Sequence, residues 1–305
     1  FFTTIKTFYD KMSIGGVLMN STDLFIDYDV FLKNYEIYKT MSDIPSFDFY
    51  NSLITLINPS YNKESIRRLR EYKEKVKNVD NALFTNDLQE KWAQNQLTVS
   101  LELIISILYA DKIDIQSNNS LDGLKNGKGK ILFYPHYGSY MSILPLLASQ
   151  GIKFTVLMDE GMTHFWDEIL QKVSYGQNIK LHGIQNQKSM INVLHDIKHG
   201  YNLMMYPDFT AGETPEYSGD FLSKHAYIPQ GPVKIAQKLR TDLLPVAMEY
   251  KNNQLLPDIT IDKPIDCSNS KEAAMKMMIY IEKIIKKDLS KWWCWEIYND
   301  IILKK

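Results

Sequence analysis

Cysteine is nearly absent from this chain of 305 residues, with only Cys267 and Cys294, far apart in sequence. Two such thiols have neither the spacing of a metal site nor the density of a disulfide framework. The plain reading is a pair of structural thiols in a reducing compartment, which points to the cytoplasm. Long apolar runs are missing as well. The longest is Leu103–Ala110, inside the segment Val99–Ala110 that also carries Glu102. A bilayer-spanning helix needs about 20 apolar residues, so no transmembrane segment is expected. The opening Phe1-Phe2-Thr3-Thr4-Ile5-Lys6 lacks the basic region, apolar core and small-residue cleavage site of a secretory signal. An excess of either charge is missing too. Lysine plus arginine is 35 against 36 for aspartate plus glutamate, a net charge of −1. That excludes the overall basic footprint of a nucleic-acid binder. No internal repeat and no low-complexity tract occurs.

What is present is an ordinary folded composition, 45% apolar and 23% charged. The length allows two domains or one large α/β domain, with ample chain to bury a core. The composition changes near residue 130. Before it the text reads helical. Tyr61–Lys77 repeats apolar residues at helical spacing among many charges, and Leu88–Ala110 is a longer helical candidate containing Trp92. Gln116–Ser120 reads as a polar loop and Asn126–Gly129 as a turn. Beyond it, short apolar runs at Ile131–Tyr134, Phe154–Leu157, Ile179–Leu181, Asn202–Tyr206, Leu243–Tyr250 and Ile259–Ile261 read as strands. They alternate with helical stretches at Tyr140–Ser149, Phe165–Val173, Gln187–His199, Pro232–Leu239 and Lys271–Leu289. Such alternation predicts an α/β layer fold with a mixed, mostly parallel central sheet flanked by helices. The expected organisation is a helical N-terminal region, 1–125, capping an α/β core, 126–305.

Chemistry concentrates in a few segments. In Tyr134-Pro135-His136-Tyr137-Gly138-Ser139-Tyr140-Met141 a histidine follows a buried strand and precedes a helix. Ligands of open α/β sheets bind at the carboxyl ends of strands, where a neutral imidazole can accept a proton. The plainer alternative is a histidine that caps a helix or packs at the sheet edge. Tyr206-Pro207-Asp208-Phe209-Thr210 also follows a strand, which puts Asp208 on the same edge as His136; a turn aspartate is the plainer alternative. Gly231-Pro232 opens a helix whose first N–H groups can hold an anion, or simply starts that helix. The aromatic group Trp292-Trp293-Cys294-Trp295 suits a core more than a site, as does the stripe Met275, Met278, Ile279, Ile281 and Ile285.

In order and spacing these segments resemble the bacterial late acyltransferases of lipid A biosynthesis, within the lysophospholipid acyltransferase-like fold. The resemblance spans about residues 130–298. The family's His-x-Gly-x-Trp-Glu is matched by His136-Tyr137-Gly138-Ser139-Tyr140-Met141, and its acidic residue after proline by Pro207-Asp208. Its glycine-led helix is matched by Gly231–Ala236, its Val-Pro-Val-like strand by Leu244-Pro245-Val246, and its late tryptophan pair by Trp292 or Trp293 with Trp295. The resemblance implies acyl transfer from a thioester on acyl carrier protein or coenzyme A to a hydroxyl or amine. The donor's phosphopantetheine arm belongs to the substrate, and neither a metal nor a tightly bound cofactor is implied. His136 is then the general base and Asp208 its catalytic partner. Tyr137, Gly138, Ser139, Tyr140, Met141, Asp159, Thr210 and Gly231 are the expected substrate-binding residues.

Two departures stand out. The family's orienting acid falls at Met141, whose thioether can neither accept the imidazole N–H usefully nor hold a countercharge. Either another carboxylate replaces it, Asp208 first and Asp159 or Glu160 next, or the acceptor is an amine that needs a less oriented base. The third alternative is a non-catalytic relative that binds an acyl chain or a carrier protein. The second departure is the missing membrane anchor, which suggests a soluble enzyme with a small or carrier-bound acceptor, as in natural-product biosynthesis. The helix at 61–77 carries seven basic and three acidic residues. It is a candidate dock for an acidic carrier protein or, peripherally, an anionic membrane surface, unless it is only a solvated face.

Overall fold

The structure is a computed structural model that describes residues 70, 71, 74, 76, 85–117, 121–158, 160–184, 188–208, 216–250 and 257–298. The expected basic helix at 61–77 lies outside them except for Arg70, Glu71, Glu74 and Val76, each of which is helical. The capping region expected over 1–125 is described only from its last third onward, apart from those four residues.

In chain order the helices are α1 (Asn86–Tyr109), α2 (Asp122–Lys125), α3 (Ile143–Ser149), α4 (Glu160–Leu170), α5 (Ser189–Lys198), α6 (Gly231–Leu239) and α7 (Ser270–Ile285). The strands are β1 (Gln116–Ser117), β2 (Ile131–Phe133), β3 (Phe154–Met158), β4 (Ile179–Gly183), β5 (Asn202–Met205), β6 (Ser218–Phe221), β7 (Lys224–Tyr227), β8 (Leu243–Tyr250) and β9 (Pro257–Ile261). Seven of these strands form one sheet in the order β1-β9-β8-β2-β5-β3-β4. Strands β8, β2, β5, β3 and β4 are mutually parallel. Strand β9 runs antiparallel to β8 and carries β1 parallel to itself. The sheet is therefore mixed and mostly parallel, flanked by helices.

Burial along the strands explains the apolar runs. Every residue of β2 is buried, as are the first three of β5 and the first six of β8, so both faces of the central strands are covered. The edge strand β4 is buried only at Ile179. One contiguous core runs from Val76 to Tyr298 among the described residues. Helix α1 joins it through the far end of the chain: the Trp92 indole donates to the Trp292 carbonyl at 2.8 Å, and the Asn95 amide donates to Ser290 Oγ at 2.8 Å.

Three local expectations are corrected. Gln116–Ser117, expected as loop, adds a short parallel strand beside β9. Fourth-helix residues start earlier than Phe165, at Glu160. On α7 the residues Met278, Ile281 and Ile285 are core, but Met275 and Ile279 are 40% and 63% exposed, because they fall outside the stripe that the core covers. A β6–β7 hairpin also appears that periodicity does not signal. Its two-residue turn, Leu222-Ser223, has φ of 49° and 64°, a left-handed pair that normally wants glycine or asparagine. Burial of Leu222 and a 2.9 Å bond from its N–H to Glu282 on α7 offset that strain.

Candidate active site

The site arises from register. Strands β2 and β5 are neighbours, with Phe133 opposite Met205. Each strand continues past its end with the same three-residue step, Tyr-Pro-His from β2 and Tyr-Pro-Asp from β5. Equal steps from paired parallel strands bring His136 and Asp208 to the same height at the carboxyl edge, where ligands of such sheets bind. The proline in each step has no N–H to offer a ladder and is buried, so neither chain continues as strand. His136 Nδ1 lies 2.6 Å from Asp208 Oδ1, and the His136 backbone N–H donates to Asp208 Oδ2 at 2.8 Å. The carboxylate therefore grips both the ring and the backbone of the histidine. Since a carboxylate only accepts, Nδ1 carries the proton and the lone pair of a neutral ring sits on Nε2.

Asp208 is fully buried, whereas the His136 side chain keeps 14% of its surface. A second element completes the shell around the carboxylate. After α7 the chain folds back through two 3-10 turns, Leu289–Lys291 and Trp293–Ile297, into a strap across the histidine loop. Tyr137 and Trp292 form an antiparallel bridge. Trp293 N–H donates to the His136 carbonyl at 2.7 Å, and Gly138 N–H donates to the Lys291 carbonyl at 2.8 Å. From this strap the Trp292 indole N–H donates to Asp208 Oδ2 at 2.9 Å, and the Cys294 thiol donates to the same oxygen at 3.5 Å. Burial first, and the Asp208 charge second, push the Cys294 thiol well up, which keeps it a protonated donor.

Aromatic rings frame the imidazole. Tyr140 meets it edge-on with centroids 4.8 Å apart, Tyr206 lies at 5.0 Å and Trp293 at 6.2 Å. Tyr206 Oη donates to the Tyr140 carbonyl at 3.2 Å, and burial followed by the nearby Asp208 raises its phenol.

The other expected residues divide. Tyr140 faces the histidine. Tyr137 and Ser139 are buried side chains, so what Tyr137 presents to the strap is backbone. Gly138 has φ of 52° with open space where a Cβ would be, so it serves the left-handed turn rather than a close approach. Met141 lies in a 3-10 turn, Tyr140–Ser142, and packs against the core. Gly231 begins α6 beside the end of β5, where an added Cβ would sit 3.7 Å from Met205. Asp159 and Thr210 lie outside the described residues. Glu160 is no substitute acid: its side chain lies over Gly183 of β4, three strands from β2 and hence about 14 Å across the sheet.

Sequence reasoning assigned the tryptophan group to the core, and Trp292, Cys294 and Trp295 are indeed buried there. It missed that Trp292 and Cys294 also hydrogen-bond the site's carboxylate. The duplicated Tyr-Pro step was the available signal for the His136–Asp208 pair, but nothing local marks the tryptophan. Glu102 on α1 was also missed. Burial pushes its carboxyl up to about 8 and the charge of Lys291 pulls it back. Ring and carboxylate, with the Cys294 sulfur, lie within 4.8 Å of one another, a grouping that can surround a metal. Their contacts are those of a hydrogen-bond cluster instead. Nδ1 and Oδ1 already touch, and Oδ2 takes three donors. The arrangement suits proton transfer at Nε2, with Asp208 stabilising the imidazolium that results.

Residues 97–295 match the family model described as bacterial lipid A biosynthesis acyltransferase. No curated protein matches the chain. Among solved structures it is similar to the 1-acyl-sn-glycerophosphate (LPA) acyltransferase PlsC from Thermotoga maritima. That similarity has 13% identity and a TM-score of 0.35, covering 73% of this chain and 96% of that one. At that score the likeness carries no argument, and the fold reading rests on the sheet itself.

Proposed function

From the premise that the chain belongs to the bacterial lipid A biosynthesis acyltransferase family, we propose that it moves an acyl group from a phosphopantetheine thioester to an amine or hydroxyl, with His136 as general base. Family membership supports acyl transfer. The donor, the roles of individual residues and the acceptor are our reading, carried by one observation: the 2.6 Å contact of His136 Nδ1 with buried Asp208. Nε2 takes the proton of the acceptor's O–H or N–H as the freed lone pair attacks the thioester carbonyl carbon. The tetrahedral intermediate collapses, the C–S bond breaks, and the imidazolium returns the proton to the leaving sulfur. Asp208 stabilises the imidazolium between those two transfers.

Asp208 thus does from β5 what the family's acid does from the position of Met141. On this reading the first departure needs no amine acceptor, and the pair supports turnover over a binding-only relative. Among the described residues no helix is long and apolar enough to cross a membrane. As acceptor we propose a small or carrier-bound molecule, as in natural-product biosynthesis, with an acidic carrier protein docking at the basic segment 61–77. The deciding experiment is thiol release from acyl-coenzyme A or acyl carrier protein with hydroxylamine as acceptor. His136→Ala lowers that rate by about 10²–10⁴-fold. A rate equal to wild type sinks the proposal.

A further inference from the structure

The strap holds the site's carboxylate through contacts the general-base scheme leaves unused. Asp208 Oδ2 accepts the His136 backbone N–H, the Trp292 indole N–H and the Cys294 thiol, while Oδ1 faces the imidazole. Two of the three donors on Oδ2 come from the strap. Trp292 is itself pinned. It is fully buried, its carbonyl accepts the Trp92 indole at 2.8 Å, and its ring packs edge-on to Phe221 at 5.6 Å and Trp295 at 5.0 Å. A ring packed between two others on a backbone that is itself bonded keeps its donor aimed at one oxygen.

We propose that Trp292, assisted by Cys294, is a positioning residue that sets how much negative charge Asp208 offers to the His136 imidazole, so that the strap tunes the basicity of Nε2. The inference rests on the reading of His136 as base. Hydrogen bonds to Oδ2 stabilise the carboxylate and spread its charge, which weakens its pull on the Nδ1 proton. Removing a donor therefore strengthens that pull and makes Nε2 more basic. The titratable groups facing the pair are Tyr206 beyond β5, Tyr140 from the 3-10 turn, and Cys294 with Glu296 behind it. Burial pushes Tyr206 and Cys294 up, so both stay neutral near pH 7.

The test is an NMR titration of ¹⁵N-histidine in the full chain, with His136→Gln assigning the signal, beside the pH profile of thiol release from acyl-coenzyme A. Trp292→Phe keeps an aromatic ring and loses the donor. We expect the ¹⁵N titration of His136 and the acid limb of kcat both to move to higher pH, with KM within about twofold, as a positioning role requires. Cys294→Ala moves the titration in the same direction by less, and Cys294→Ser, a stronger donor, moves it down. Opposite shifts from two substitutions at one position do not follow from loosened packing. Unchanged histidine titrations in Trp292→Phe and Cys294→Ala overturn the inference. If Trp292→Phe does not fold, the two Cys294 variants decide it alone by the sign of their shifts. The NMR readout needs no turnover, so failure of the acyl-transfer reading and failure of this inference show up separately.

Discussion

Among the described residues two buried aspartates each hold a histidine, one at the carboxyl edge of the central strands and one at the edge of the sheet. Asp208 meets His136 at 2.6 Å at the carboxyl edge of the central strands, while Asp196 on α5 meets His182 of the edge strand β4 at 2.8 Å. Their surroundings differ in charge. Asp196 also receives Lys180 Nζ at 2.6 Å and Thr155 Oγ1 at 3.2 Å, and Lys180 in turn lies 4.1 Å from the Tyr201 ring centroid. Burial pushes the Asp196 carboxyl up, but hydrogen bonds from Lys180 and His182 outweigh it and hold the group below its ordinary value. Its charge is already compensated by a fixed cation. Around Asp208 the other donors are a backbone N–H, an indole and a thiol, all neutral. The imidazole is the one partner there that can become a countercharge. A carboxylate without a fixed cation has stabilisation in reserve for a transient imidazolium, whereas a carboxylate with one is a structural tie between helix and sheet.

The largest expected effect breaks the first pair. Asp208→Asn keeps size and some acceptor capacity but removes the charge, and thiol release falls on the order of 10³–10⁴-fold. Asp196→Asn, by contrast, leaves turnover within about twofold and costs roughly 2 kcal/mol of stability in urea unfolding at pH 7. Equal losses of activity in the two variants would erase the distinction drawn between the pairs. Acid sharpens it further. Because the folded pKa of Asp196 is depressed, its stabilisation is present above the unfolded carboxylate range and is lost as pH falls through the folded value. The stability difference between wild type and Asp196→Asn therefore narrows between pH 6 and pH 3.

Glu102 supplies the opposite sign. Its folded pKa is raised to about 8, so the folded state binds that proton more tightly and stability declines as pH rises from the unfolded value toward 8. Glu102→Gln should melt higher than wild type at pH 9 and alike at pH 4, and a gap that does not grow with pH would refute this. The smallest effect belongs to Met141→Glu. With Asp208 already on Nδ1, restoring an acid at this position gives no gain in kcat for thiol release, and a rise above about threefold would show Asp208 to be an incomplete substitute.

Much of the architecture was legible because its cause is local. Central strands covered on both faces must be apolar at nearly every position, so Ile131–Phe133, Asn202–Met205 and Leu243–Tyr250 stood out as short runs between helical stretches. The β6–β7 hairpin did not, since its turn is Leu-Ser and is held by Glu282, 60 residues away in sequence. Helix α7 was legible as an amphipathic helix, but which apolar residues stay outside was not, because Ile279 and Ile281 differ only in which of them the rest of the chain covers. His136 could be named from its place after a strand. Its partnership with Asp208 could only be ranked among alternatives, since strand order decides which edge residues meet.

By itself, then, the amino-acid sequence determined the mostly parallel α/β layering and the residue types gathered at the carboxyl edge, because periodicity and burial act over a few residues. Only the tertiary structure decided that β5 lies beside β2 in a register matching Met205 to Phe133. That register makes Asp208 the partner of His136 and leaves Met141 to the core. Only the tertiary structure, too, brought Trp292 across 84 residues of sequence onto the same carboxylate. Both outcomes depend on contacts between segments distant in the chain, and no local pattern encodes which segments those are.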